Sequence, residues 1–157
     1  KASINGYKVD YKVDNCEKTS FENNSFDVVY GSGILHHLQI DKCLEEIHRI
    51  LKPNGKILFV EPLGTNPIIN FYRKLTPKSR SVDEHPLIKK DLDFIKNNFK
   101  EVEIKYYGFI TLIFFPFYSS VKKSKFFDFL AKFDQYLFKI KFLRLFAWSI
   151  LISAKKN

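Results

Sequence analysis

The chain has 157 residues, of which 45% are hydrophobic, and carries a net charge of +9. That length suits one domain, and the apolar content excludes an intrinsically disordered chain. Apolar runs at 109–118 and 145–153 fall short of the roughly 20 residues a membrane helix requires, which excludes a bilayer-spanning reading.

The charge is uneven: from Glu101 onward there are ten Lys/Arg and four Asp/Glu. A basic, aromatic-rich tail could meet an anionic membrane surface, nucleic acid or an acidic substrate, the plainer reading being solvated lysines. Nucleic acid is the weakest of these, because the lysines match no recognisable binding motif. Cys16 and Cys43 have neither CxxC nor metal-like spacing. With no signal-peptide pattern at Lys1, the expectation is two free thiols in a reducing, cytoplasmic setting. No metal is expected.

Residues 7–13 alternate apolar and polar, which predicts a strand with one wet face near a sheet edge. Residues 15–25 are a polar loop anchored by Phe21. Residues 26–30 (FDVVY) predict a strand buried on both faces, punctuated by Gly31 and Gly33. Asp41 is the expected N-cap of a helix whose Leu44, Ile47 and Leu51 share a face. Lys52-Pro53-Asn54-Gly55 stops that helix, and residues 56–60 form the next buried strand, ending at Glu61-Pro62. Strand, helix and strand with short links make a βαβ unit, hence a parallel sheet with a right-handed crossover. Beyond it lie a short helix at 68–75, a helix marked by Leu92, Ile95 and Phe99, and a strand at 102–107. Eleven of the seventeen Phe fall between Phe109 and Phe146. There Phe126, Phe129, Leu130, Phe133, Leu137 and Ile140 recur at helical spacing with lysines elsewhere around the helix. Residues 147–153 read as a closing strand before a lysine-rich end.

The Gly-Ser-Gly after the first buried strand does not continue as a dinucleotide fingerprint, because His36 stands where the third glycine belongs. The order of pieces is more informative. NNSFDVVY, then GSGILHHL, then a helix ending ILKPNGKILFVEP, resembles the second half of class I S-adenosylmethionine-dependent methyltransferases, most of all the ubiquinone/menaquinone-biosynthesis type. The resemblance covers residues 7–60 in order and spacing and extends more weakly through Tyr107 and the last strand. It implies a Rossmann-like α/β fold, a mostly parallel sheet with a final antiparallel pair at 102–107 and 147–153. One domain is expected over 1–157: a core to 107, a Phe-rich helical insert or lid at 108–146, and a closing strand and tail.

The resemblance also implies S-adenosyl-L-methionine as cofactor. The acidic or amide residue and following backbone amide that hold the adenine match Asn15 and Cys16, with Asp14 as the alternative one register away. The small residues beside the methionine portion match Gly31 and Ser32. Of the adjacent His36 and His37, at most one is expected to face the pocket. His37 is the candidate there, with Glu61 at the end of its strand. A loop with Asp83, Glu84, His85 and Pro86, preceded by Tyr72, Arg73 and Arg80, is expected to cap a substrate pocket, with His85 or Glu61 as candidate base. His48 reads as structural.

The family's glycine-rich loop and ribose-binding acid would precede Lys1, and the chain contains no Met. A fragment or processed chain that alone binds the cofactor weakly or not at all is therefore expected. Two function classes follow. One is methyl transfer to a small, apolar or lipid-like acceptor, with the Phe-rich segment as its lid. The other is a degenerate module of the same fold that acts in peripheral membrane or partner binding through 109–146. The oligomeric state is open.

Overall fold

A computed structural model describes residues 2–4, 7–77, 81, 84–117 and 125–157. Six strands are described: β1 (Ala2–Ile4), β2 (Tyr7–Val9), β3 (Phe26–Ser32), β4 (Leu51–Pro62), β5 (Phe99–Tyr107) and β6 (Ser149–Lys156). Four α-helices accompany them: α1 (Ile40–Ile50), α2 (Pro67–Leu75), α3 (Lys89–Asn98) and α4 (Lys125–Leu137). Short 3-10 turns lie at Leu35–His37, Ile110–Phe117 and Lys141–Phe146.

The main sheet has the order β3-β4-β6-β5. β3 and β4 pair in parallel, while β6 is antiparallel to both β4 and β5. Strands β3, β4 and β5 therefore all run one way, and β6 inserts between β4 and β5 against them. Their carboxyl ends, Ser32, Pro62 and Tyr107, lie along one edge of the sheet. This is the mostly parallel α/β architecture with a final antiparallel pair that the resemblance implied.

The β3-α1-β4 unit forms for the reasons its pattern suggests. Cys43, Leu44, Ile47 and Ile50 put one stripe of α1 into the core, against Ile57 and Phe59 of β4. The helix starts at Ile40 with Gln39 as N-cap, so Asp41 lies in the first turn rather than at the cap. It ends at Ile50 because the chain then loops out. Phe26 pairs Leu51 and Val28 pairs Lys56, so Lys52–Gly55 oppose a single residue, with Asn54 at φ +61°. Ile150, Ile152 and Ala154 of β6 and Ile95 of α3 complete the core.

Three further expectations need correction. The strand at 26–30 is not buried on both faces: Val28 and Tyr30 are 54% and 64% exposed, because β3 is the edge strand of the sheet among the described residues. The strand at 7–13 is only Tyr7–Val9, and it pairs with β1 in a separate two-stranded sheet. Alternation specifies a wet and a dry face but no partner, and residues 10–14 pair with no strand among the described residues. The apolar set on α4 is also not one buried face. Leu130 is buried and Leu137 half-buried, whereas Phe126, Phe129 and Phe133 are exposed. Among the described residues, no helix is long and apolar enough to cross a membrane.

Candidate cofactor and substrate site

At the carboxyl edge, β3 ends in a turn held from β4. Gly33 has φ +61°, a conformation that suits glycine, and its N–H donates to the Val60 carbonyl at 2.8 Å. The next residues enter the Leu35–His37 turn, which Glu61 clasps. The N–H groups of Ile34 and Leu35 both donate to Glu61 Oε1 at 3.0 Å, and His36 Nδ1 lies 2.8 Å from Oε2. A carboxylate only accepts, so the imidazole proton sits on Nδ1. Glu61 is 1% exposed and His36 8%. Every lone-pair direction that matters on this carboxylate is committed to positioning the turn.

This corrects Glu61 as a candidate base: a proton acceptor must reach the acceptor molecule, and this one is shut behind its own turn. His36 is the buried imidazole of the pair, bound to Glu61. His37 is half-buried, with Nδ1 3.3 Å from Ser81 Oγ. His85 is exposed, and its N–H donates to the His36 carbonyl at 2.8 Å. The Glu84–Pro86 stretch thus lies across the histidine turn. It is held there by Leu87, whose N–H donates to Pro62 O while its carbonyl accepts from Gly64 N. Arg80 and Asp83 lie outside the described residues. His48 packs edge-on against Phe99 with its ring centroid 5.6 Å away, and burial lowers its pKa, as suits a structural side chain.

Asn15 and Cys16 do not follow a strand of the main sheet. They sit in a turn where Asn15 Oδ1 accepts from Glu17 N and Asn15 O from Lys18 N. The loop is nevertheless fixed beside the same edge. Glu17 accepts from Gln39 N at the start of α1, and Glu46 on that helix accepts from Thr19 N and Oγ1. Gly31 is explained by packing: a Cβ there would stand 2.3 Å from Phe59 Cε1 and 2.7 Å from Ile34 Cγ2. Its smallness serves the Phe59 ring.

Two clefts open along this edge. One, of about 630 Å³, lies between α2 and the Glu84–Pro86 stretch, with Asn70, Arg73, Ser81 and His85 in its wall. The other, of about 510 Å³, lies beyond β5 and is mostly apolar, with Tyr107, Leu112, Phe127, Ala131 and Trp148 among its walls. Asp134 at its side repeats the device of Glu61. Its buried carboxylate accepts from the N–H groups of Phe109, Ile110 and Thr111 and from Thr111 Oγ1, clasping the turn that follows β5. Sequence reasoning singled out His36 without its pairing to Glu61, and missed Asp134. The signal available was weak: a lone acid inside an apolar helical pattern.

The donor set fits the adenosyl and amino-acid parts of S-adenosylmethionine. Ser32 is exposed, and its hydroxyl has no hydrogen-bond partner among the described residues. The same holds for the Asn15 amide nitrogen and the Cys16 N–H, both on exposed residues. An amide and a backbone N–H can read the edge of an adenine, and a hydroxyl can bond an amino-acid group.

Residues 1–59 match the family model described as a methyltransferase domain. Residue identity is 43% over 54 residues to a ubiquinone/menaquinone biosynthesis C-methyltransferase of Hydrogenovibrio crunogenus, covering 34% of this chain and 21% of that protein. It is 39% over 74 residues to the mitochondrial 2-methoxy-6-polyprenyl-1,4-benzoquinol methylase of Bos taurus, covering 45% and 22%. These matches make the chain similar to the class I S-adenosylmethionine-dependent methyltransferases. The fold of that family extends over nearly all of it. A phosphoethanolamine N-methyltransferase of Haemonchus contortus, solved with S-adenosylhomocysteine, superposes with TM-score 0.58 at 21% identity over 91% of this chain and 36% of its own. The geranyl diphosphate C-methyltransferase of Streptomyces coelicolor gives 0.58 at 12% identity over 93% and 52%. The chain thus spans well under two thirds of the length of each of these four relatives. S-adenosyl-L-methionine is the cofactor of this methyltransferase family.

Proposed function

We propose that the protein transfers a methyl group from S-adenosylmethionine to carbon or oxygen of a small, apolar or lipid-like acceptor. The observation that carries this reading is the aromatic-walled cleft between Tyr107, Leu112, Phe127 and Trp148, at the same sheet edge as Ser32 and His37. Its volume lies within the roughly 300–1,000 Å³ of small-molecule sites. Open α/β sheets place ligands at the carboxyl ends of their strands. Relatives named for a polyprenyl benzoquinol and a sterol support an apolar acceptor.

When bound, S-adenosylmethionine supplies an electrophilic methyl carbon. The chain's own contribution is placement. Asn15, Cys16 N–H and Ser32 hold the cofactor's polar groups, and Glu61 keeps the turn after Ser32 in one conformation. In-line transfer depends mainly on alignment. His37 and His85 are the imidazoles at this edge that take the proton of an acceptor hydroxyl.

The test is incubation of the full-length protein with methyl-labelled cofactor, a lipid extract and a polar metabolite fraction. Label in the organic phase is the expected outcome, and label confined to polar compounds overturns the acceptor class. A second reading is a non-catalytic module of this fold acting at a membrane or partner surface through 109–146, favoured by the exposed Phe126, Phe129 and Phe133 of α4. Any enzyme-dependent methyl transfer removes it.

A further inference from the structure

Helix α2 is amphipathic the wrong way round for a helix that meets water. Two of its polar residues face the protein: Asn70 Nδ2 donates to the Gly64 carbonyl, and Arg73 Nη1 to Leu63 O and Asn70 Oδ1. Its apolar residues face out. Ile68, Phe71, Tyr72 and Leu75 follow one another at three-, one- and three-residue steps along one stripe, and each is 64–65% exposed. No residue of α2 is buried. A surface helix ordinarily turns its apolar stripe to the core.

Helix α4 carries a second stripe of the same kind. Phe126, Phe129 and Tyr136 are 57–62% exposed, with Phe133 between them, while Leu130 and Asp134 point inward. The Lys141–Phe146 turn that follows exposes Phe142 and Leu145. This turn is bonded to the head of α2, because Thr65 Oγ1 and Asn66 Nδ2 donate to the carbonyls of Leu145 and Phe146. Ten large apolar side chains on three connected elements are thus turned to solvent, more than scattered surface hydrophobics explain.

The charge around them decides what covers them. At 100° per residue, Lys125 and Lys132 flank the aromatic stripe of α4 and Lys74 flanks that of α2, with Lys139 and Lys141 at the junction, all five exposed. Asp128 is the one exposed acid on α4. Aromatic residues bordered by lysines match an interface where apolar side chains enter the acyl boundary and ammonium groups meet anionic headgroups. We propose that α2, the Lys141–Phe146 turn and α4 dock the protein on an anionic lipid bilayer with the carboxyl edge of the sheet facing it. This rests on the lipid-like acceptor read above and gives that acceptor its route: from the bilayer into the clefts beside α2 and α4 without crossing water.

Co-sedimentation of the full-length protein with phosphatidylcholine vesicles, with and without added phosphatidylglycerol, tests it. The protein is expected in the pellet with the anionic vesicles. Lys125→Glu with Lys132→Glu is expected to lower partitioning by at least about tenfold, and Phe71→Ser with Leu75→Ser by about tenfold or more. All four side chains are exposed, so an unchanged circular dichroism spectrum is expected for both variants. Failure to pellet with anionic vesicles overturns the proposal. So does a dimer seen by light scattering that Phe71→Ser with Leu75→Ser dissociates while vesicle binding is absent, since a second copy then covers the face. Anionic-vesicle binding with label only on polar compounds keeps the docking surface and overturns the lipid acceptor; lipid labelling without vesicle binding overturns the docking surface alone.

Discussion

His36 Nδ1 stands 2.8 Å from Glu61 Oε2, with the Glu61 side chain wholly out of solvent. Glu61 ends one strand and His36 follows its parallel neighbour, so this pair ties two carboxyl ends together just where the family's cofactor crevice opens. Removing the carboxylate leaves two backbone N–H groups and an imidazole without their acceptor. Glu61→Ala is expected to cost about 3–5 kcal/mol and Glu61→Gln about 1–3 kcal/mol, read from urea midpoints. A midpoint unchanged in Glu61→Ala would remove the clasp from the account.

Gly31 is a packing glycine. Gly31→Ala is expected to destabilise by about 1–3 kcal/mol, as overpacking does, because the new methyl meets the buried Phe59 ring. Phe59→Leu in the same chain should recover part of the loss. If the double variant is less stable than the sum of the two single changes, the contact with Phe59 is not the cause.

The two thiols should differ sharply. Burial pushes the Cys43 pKa up to about 12, whereas Cys16 is exposed. The thiolate is the reactive form, so a disulfide reagent at neutral pH is expected to titrate one thiol per native chain and two after denaturation. Labelling of Cys43 at the rate of Cys16 in the native protein would contradict this.

Glu46 links α1 to the loop that carries Asn15 and Cys16. Hydrogen bonds from Arg49 and Thr19 lower its pKa from 4.5 to about 2. A carboxyl depressed on folding contributes stability that is present above its unfolded value and lost as pH falls through the folded one. Stability should therefore decline from about pH 5 toward pH 2, and Arg49→Gln should flatten that slope. Identical slopes for the two proteins, by denaturant midpoints across pH, would exclude the pair.

Ser32 and Asn15 are proposed to hold the cofactor through their uncommitted polar groups. Ser32→Ala and Asn15→Ala are each expected to weaken S-adenosylhomocysteine binding about three- to tenfold in the full-length protein, the size of one lost hydrogen bond. Calorimetric affinities equal to the unaltered protein's would remove the residue concerned from the site.

Local pattern was enough to place β3, α1 and β4 along the chain, because apolar residues recur there at strand and helix spacing, although it did not foresee that Val28 and Tyr30 of the edge strand β3 are exposed. The same residues, with GSGILHHL between them, carried the family and its cofactor. Pairing partners and the destination of long-range polar side chains were decided only in three dimensions. Residues 7–13 alternate as a strand should, yet only Tyr7–Val9 is one, and its partner is Ala2–Ile4. Glu61 reads as a carboxylate available at a strand end, and becomes a buried clasp because His36, 25 residues away, folds onto it. The stripe of α4 reads as core, but β5, β6 and the preceding turn accept only Leu130 and its neighbours, leaving the phenylalanines outside. Periodicity records which residues share a face, while the neighbours available to that face decide whether it is buried. His36, Asp134 and the outward stripe of α2 belong to that second kind of information.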